Sequence, residues 1–349
     1  MYRVLKIGSA FIGIIIGAGF ASGQEILQYF TSFGYAGTLG AMLATALFAY
    51  LGMSLTKIGS RLQTTSHRDA IYTISGRYLG TIVDAVLLFT QFGVGVVMIA
   101  GAGSLLNQQF GFQPVIGNII VAILIIITMM LNVNRVIAVI GSVTPFLILT
   151  IFIICIYSLF TMDMTFNELN PIAKGLEKSL PNWFIAAINY ASFNIAVGAG
   201  MSIVIGGAEK NERIASIGGL VGGLGIGVLI VSAHLAIFSK IDVVHTYEMP
   251  LLKIGNDISP ILGFLMSFIL FGMIFNTGIS MFYAFAARFF HVEGRSFKIG
   301  AFIIVIIGFA ASFVGFTELV AKLYKLIGYL GLFLILALIY APFKLRKLK

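Results

Sequence analysis

Apolar residues fall in blocks of about 20, separated by short polar or charged stretches, and the blocks predict membrane-spanning helices near 5–30, 34–56, 79–105, 115–132, 135–159, 182–207, 213–239, 260–289, 298–316 and 320–343. The narrowest separation is between the fourth and fifth, where Asn132, Asn134 and Arg135 are the polar break. A single helix over both would be about 68 Å long at 1.5 Å per residue, against a hydrocarbon core of about 30 Å, so two helices and a tight turn are required. Longer connections at 57–78, 160–181 and 240–259 carry enough apolar residues for small interfacial helices.

Composition agrees with this reading. Of 349 residues, 59% are apolar and 10% are charged, against about 45–50% and about 25% in soluble domains. The net charge of +9 does not point to nucleic acid, because Lys and Arg cluster at the ends of apolar runs instead of along one basic face. With the N-terminus inside, sixteen of the 22 Lys and Arg residues fall on the inner side and six on the outer side. That bias requires an even number of spans with both termini cytoplasmic, so the expected location is the cytoplasmic membrane. The basic start, the apolar run 7–16 and the small residues after it resemble a secretory signal; the segment is read instead as the first helix. A lone cysteine, Cys155, rules out a disulfide framework or a cysteine metal site within the chain.

Two spans combine glycine with hydrogen-bonding side chains. Span one reads Gly17-Ala18-Gly19-Phe20-Ala21-Ser22-Gly23-Gln24-Glu25, and span six reads Ser192-Phe193-Asn194, then Gly198-Ala199-Gly200. Backbone opened inside a membrane is tolerated only where it lines a cavity or is buried in protein. Both spans are therefore expected to break. The Gly-Ala-Gly triplets lie 181 residues apart, five spans on, and an odd offset inverts the second half. Matching breaks in inverted halves point to a transport site near the midplane. Span seven differs: Gly218, Gly219, Gly222, Gly223 and Gly227 form stripes with no polar side chains between them, the pattern of close helix packing.

Glu25 is the sharpest single residue, since a carboxylate within a span is costly and by default functional. It has two compatible roles, coupling to a proton or cation, or closing an S-x-x-E capping box with Ser22. Asp84 is a candidate gating or coupling group, with an ion pair to Arg77 or a helix-dipole role as its structural alternative. Gln91, seven residues on and on the same face, is a candidate cavity residue. Asn276, Ser280 and Tyr283 share a stripe on span eight beside Thr277. His67, His234, His245 and His291 form no ligand pair, and His234 is expected at the interface. No H-E-x-x-H motif or phosphate loop is present, which leaves zinc proteolysis and ATP-driven pumping without a motif.

The stretch from Gly17 to Glu25 resembles the signature of the YkvI-like bacterial membrane proteins, which are similar to the amino acid-polyamine-organocation transporter superfamily, and the similarity extends to Ser192-Phe193-Asn194 and the ten spans. The resemblance implies an all-α, LeuT-like fold in a single domain over 1–349, with inverted repeats at about 5–159 and 182–343 and broken helices one and six. It also implies a bundle of spans one, two, six and seven that rocks against the rest. By the same resemblance, a sodium site would take the carbonyls of Gly13 and Ile16 and the side chains of Asn276, Thr277 and Ser280. No cofactor other than sodium is implied. Some proton-coupled relatives carry a lysine in span five, which is absent around Ser142, Thr144 and Pro145.

The expected function is secondary transport, not enzymatic, of an amino acid or related small zwitterion or amine, coupled to sodium or protons. Gly17, Ala18, Gly19, Ala21, Ser22, Gly23, Gln91, Ser192, Phe193 and Asn194 are the candidate substrate-binding residues, and Glu25 and Asp84 the coupling candidates. The alternative is a receptor subunit that keeps the fold and binds a ligand without moving it, as germinant receptor subunits of the superfamily do. The sequence names no protein partner beyond the lipid bilayer.

Overall fold

The structure is a computed structural model, which describes residues 1–64, 67–130, 144–291 and 294–346. The turn read at Asn132 to Arg135 lies outside the described residues, as does Ser142.

Span one is composite: α1 (Tyr2–Ile15), α2 (Ala18–Ser22), α3 (Gln24–Tyr29) and a 3-10 turn at Thr31–Phe33. Next come α4 (Tyr35–Leu62), α5 (His67–Phe110), α6 (Pro114–Met130) and α7 (Thr144–Phe160). The second half holds α8 (Phe166–Gly175), α9 (Trp183–Gly207), α10 (Glu212–Phe238), α11 (Ile241–Val244), α12 (Pro250–Ile258), α13 (Pro260–Phe289) and α14 (Arg295–Ser312). It ends with α15 (Phe316–Leu319), a π turn at Val320–Tyr324 and α16 (Lys325–Arg346). Among the described residues, seven helical segments are by themselves long and apolar enough to cross a membrane, and α6 and α7 are shorter apolar helices. With composite span one they make ten.

Local chemistry sets the ends. Asn182 accepts a hydrogen bond from the Ile185 N–H at 2.9 Å to start α9, and Asn211 accepts from Arg213 and Ile214 to start α10. Ser259 followed by Pro260 opens α13. The small helices α8, α11 and α12 occupy the two connections expected to hold interfacial elements. The third, 57–78, is taken up by the end of α4 and the start of α5, which kinks at Gly76.

Packing sets the helices in two groups, which also touch each other where α9 meets α16 and α10 meets α7. In the first, α1 lies on α9 and α10, and α4 lies on the same two helices. In the second, α5 runs through the middle against α6, α13, α14 and α16, while α13 also meets α7 and α14. Several contacts recur five spans on: one on seven matches six on two, three on four matches eight on nine, and three on ten matches eight on five.

The glycine stripes of α10 have two faces. A methyl group added at Gly219 or Gly223 would strike the α4 backbone at Gly52 or Phe48, and one at Gly218 or Gly222 would strike α1 at Ile7 or Gly8. Backbones approach closely because no Cβ intervenes. Elsewhere large apolar side chains point outward, including Phe146, Leu149 and Ile156 on α7 and Phe302, Ile303 and Ile307 on α14. Faces of that size suit lipid as their neighbour.

Span six departs from expectation. α9 is one uninterrupted helix from Trp183 to Gly207. Two of its polar side chains bond back into it: Asn194 Nδ2 donates to the Tyr190 carbonyl at 3.0 Å and Ser202 to the Gly198 carbonyl at 2.7 Å, whereas Asn189 bonds Tyr29 and the Lys325 carbonyl and Ser192 Oγ is buried unpartnered. Gly198 serves close packing, since a Cβ there would meet Ile14 and Ile15 of α1.

Candidate functional site

The break in span one builds the site. Ile16 (φ −78°, ψ 93°) and Gly17 (φ −97°, ψ −174°) are extended, so the chain leaves α1 for two residues before α2 begins. The last carbonyls of a helix have no partner within it, and residues 13–16, which carry them in α1, line a cavity of about 230 Å³. A second joint lies at Gly23, where φ is +86°, a conformation that favours glycine. Ser22 fastens this joint, donating to the Gly19 carbonyl at 2.7 Å and accepting from the Gln24 N–H at 3.1 Å.

Beyond the joint, the first turn of α3 carries Glu25 to the cavity wall. The carboxyl group lies against α2 where Gly19 has no side chain, and a Cβ at Gly19 would overlap it. Its Oε2 accepts a hydrogen bond from the Tyr190 hydroxyl of α9 at 3.2 Å, and the residue is 4% exposed. The capping box with Ser22 is therefore only half present: Ser22 caps Gln24, while Glu25 turns to Tyr190. Among the described residues Glu25 has no ion-pair partner.

The cavity also brings together Gly13, Ile16, Gly17, Ala18, Gly19, Phe193 and Asn194 with Asn276, Thr277 and Ser280 of α13. The α13 polar groups differ from many others in this protein. Thr45, Ser54, Thr56, Thr90, Thr128 and Thr150 all donate to a carbonyl four residues back in their own helices. Among the described residues Thr277 and Ser280 find no hydrogen-bond partner, and Asn276 Oδ1 is buried without one. Buried polar groups are nearly always paired, so Asn276 Oδ1, with the two half-buried hydroxyls beside it, is available to a ligand in the cavity. Among the described residues, no three His, Cys, Asp or Glu side chains gather as a metal-binding group.

Other candidates lie elsewhere. Ala21, Ser22 and Gly23 are buried behind the cavity wall, and Gly23 packs on Leu251 and Ile237. Ser192 faces α16 at Gly331. Gln91 does not line the cavity, and its Oε1 is buried unpartnered. Asp84 pairs neither with Arg77 nor with the cavity: its Oδ2 lies 2.5 Å from Nη2 of Arg288, tying α5 to α13. His234 is fully buried, not interfacial, with Nδ1 3.0 Å from the Thr31 hydroxyl and Nε2 2.9 Å from that of Thr38.

Residues not picked out from the sequence complete the site. Tyr190 holds Glu25, and Tyr324 of the π turn stacks on Phe193 with ring centroids 4.1 Å apart. Met98, Met201, Met273 and Met281 line the apolar part. The charges Lys322 and Lys325 within an apolar run were the available signal for the π turn. Tyr29, Phe30 and Phe48 pack around Tyr190, whose ring also meets Phe193 of the cavity wall, so an aromatic layer backs the wall there. On the Arg3 side of the cavity wall, Gly13 and Met201 are exposed, the latter by 58%. A separate polar pocket of about 400 Å³, lined by residues including Gln24, Gln28 and Lys325, lies on the far side of the layer.

A broken first span, two groups of helices and a cavity between them define a polytopic membrane protein of LeuT-like fold. The chain is similar over nearly its whole length to two proteins of Bacillus subtilis (strain 168). The uncharacterized membrane protein YkvI is 26% identical over 337 residues, 96% of this chain and 94% of the relative. The uncharacterized protein YyaD is 26% identical over 334 residues, 95% and 94% of the two. No protein-family model matches the chain. Among solved structures, MhsT in complex with L-phenylalanine superposes with a TM-score of 0.61 at 18% identity, covering 93% of this chain and 87% of MhsT. The inward-facing conformation of Mhp1 gives 0.52 at 12% identity, covering 94% and 73%. Mhp1, a nucleobase-cation-symport-1 family transporter, in a closed conformation with bromovinylhydantoin bound gives 0.52 at 14% identity, covering 93% and 74%.

Proposed function

We propose that the chain is a secondary transporter that moves an amino acid or related small zwitterion or amine across the cytoplasmic membrane by alternating access. The observation that carries this reading is the cavity at the break of span one, with exposed wall residues on the Arg3 side and an aromatic layer behind Phe193. The excess of Lys and Arg supports a cytoplasmic Arg3 end with both chain termini inside, which would turn the exposed side of the cavity wall toward the cytoplasm. The recurrence of helix contacts supports two inverted repeats, at about 5–159 and 182–343. Their bundle, α1, α4, α9 and α10, would move against the rest. The neighbours lend support: MhsT was solved with L-phenylalanine and Mhp1 with a hydantoin.

For coupling, the free hydroxyls of Thr277 and Ser280, Asn276 Oδ1 and the carbonyls of Gly13 and Ile16 are hard oxygen donors at one cavity, a set that suits sodium. Glu25 is the alternative carrier, for a proton. Proteoliposomes tested with a panel of amino acids and amines, under a sodium gradient and then a proton gradient, decide the matter. Gradient-driven accumulation of a panel member, lost in Glu25→Gln or in Thr277→Val with Ser280→Ala, is the expected result. A ligand that binds but is never accumulated under either gradient would refute transport.

A further inference from the structure

The cavity has a one-sided charge census. Among the described residues, Glu25 is the one carboxylic acid in its wall, and no Lys, Arg or His lines it. Its other polar groups are uncharged: Asn276 Oδ1 is an unpartnered acceptor and carbonyls of α1 stand at the break, while the Thr277 and Ser280 hydroxyls and the Asn276 amide nitrogen donate as well, and one Asn194 N–H is already committed to Tyr190. The main donor-rich feature is the start of α2, a helix of five residues whose dipole is correspondingly small and faces Glu25 nearby.

A buried carboxylate without a cation carries a large desolvation cost. An ammonium group brings three donors and the missing charge, and the rings of Phe193 and Tyr324 at the same cavity attract cations further. A carboxylate on the ligand would meet no cationic side chain. The remaining wall is four methionines, unbranched and polarizable, which adapt to apolar groups of varied shape.

We infer that the cavity recognises the ammonium group of an apolar or aromatic primary amine, with Glu25 as counter-ion, and that an amino acid's carboxylate is dispensable. The inference rests on reading this cavity as the substrate site of the proposed transporter.

The test uses the purified full-length protein and matched triads: phenethylamine, phenylalanine and 3-phenylpropionate; 3-methylbutylamine, leucine and 4-methylpentanoate. Binding is read by calorimetry and thermal shift, in sodium and in potassium buffers. The amine of each triad should bind within threefold of the amino acid or tighter, and the acid at least 30-fold more weakly. Glu25→Gln should weaken the amines tenfold or more, with Glu25→Asp recovering part of the loss. An amino acid that binds 30-fold tighter than its amine, an acid that binds as well as either, or a folded protein that binds none of the six overturns the inference. Amine binding without uptake into vesicles would defeat the transporter reading alone, whereas amino acid uptake with no amine binding would defeat only the inference.

Discussion

Replacing Gly19 by alanine tests the placement of Glu25 without touching it. A Cβ at position 19 would overlap the carboxylate, with the Glu25 Cδ only 2.8 Å away, so the side chain has to move. Alanine favours the helical conformation over glycine by about 1 kcal/mol. Against that stands the Tyr190 bond at 3.2 Å; a hydrogen bond to a charged group is worth about 1.5–3 kcal/mol. The net expectation is a loss of roughly 0.5–2 kcal/mol. Gly17→Ala is the control: no atom stands within 4 Å of its Cβ position, and its extended backbone suits any residue. That substitution should be neutral, or stabilising by about 0.4–1 kcal/mol through the unfolded chain. Unfolding in detergent for Gly19→Ala, Glu25→Ala and the double variant closes a thermodynamic cycle, and the cost of Gly19→Ala should vanish once Glu25 is gone. If that cost persists in the Glu25→Ala background, or if Gly17→Ala is equally damaging, Glu25 does not sit in the notch that Gly19 leaves.

Gly223→Val should destabilise the α4–α10 pair by about 1–3 kcal/mol through overpacking, measured as a fall in thermal midpoint; Gly175→Val, where nothing stands within 4 Å, should change little. Thr277→Val with Ser280→Ala should leave the midpoint in potassium unchanged, because neither hydroxyl has a partner among the described residues, but should remove any stabilisation by sodium; an unchanged sodium response would refute a cation site on α13. Outside the membrane, Thr165 backbone and hydroxyl bonds at 2.7 and 2.8 Å hold the Glu168 carboxyl below the ordinary carboxylate range. A pKa depressed on folding contributes stability above the unfolded value that is lost as pH falls through the folded one. The protection of the α8 amides, measured as exchange relative to the intrinsic rate at each pH, should therefore fall at acid pH, and less pH dependence is expected in Thr165→Val.

The spans and the break in span one were legible because lipid leaves a long apolar run little to do but cross it, and leaves glycine beside Ser22 and Glu25 little to do but open the backbone. Span six carries much the same letters with a different outcome. Glycine marks either an opened backbone or a close approach, and Asn194 and Ser202 bond back to their own helix instead of freeing it. Asp84 misled for a related reason: its mate Arg288 lies 204 residues away, a pairing set by tertiary packing and invisible to spacing along one helix. Tyr324 reaches the cavity through a π turn, whose shifted register no 3.6-residue pattern anticipates. The half of the site on α13 could be read because Asn276, Thr277 and Ser280 already share a helical face.

The ion pairs on the Arg3 side each stay within one moving body. Arg3 binds Glu209, joining α1 to the turn between α9 and α10, while Asp84 binds Arg288 across α5 and α13. Neither spans the cleft that would have to shut. With α1 and α4 seated backbone to backbone on α10, displacement at one end of that slab is delivered undiminished to the other, as through a stiff lever. Among the described residues, neither ion pair is a latch that closure in the proposed transporter would have to break, and its rate should be nearly indifferent to ionic strength.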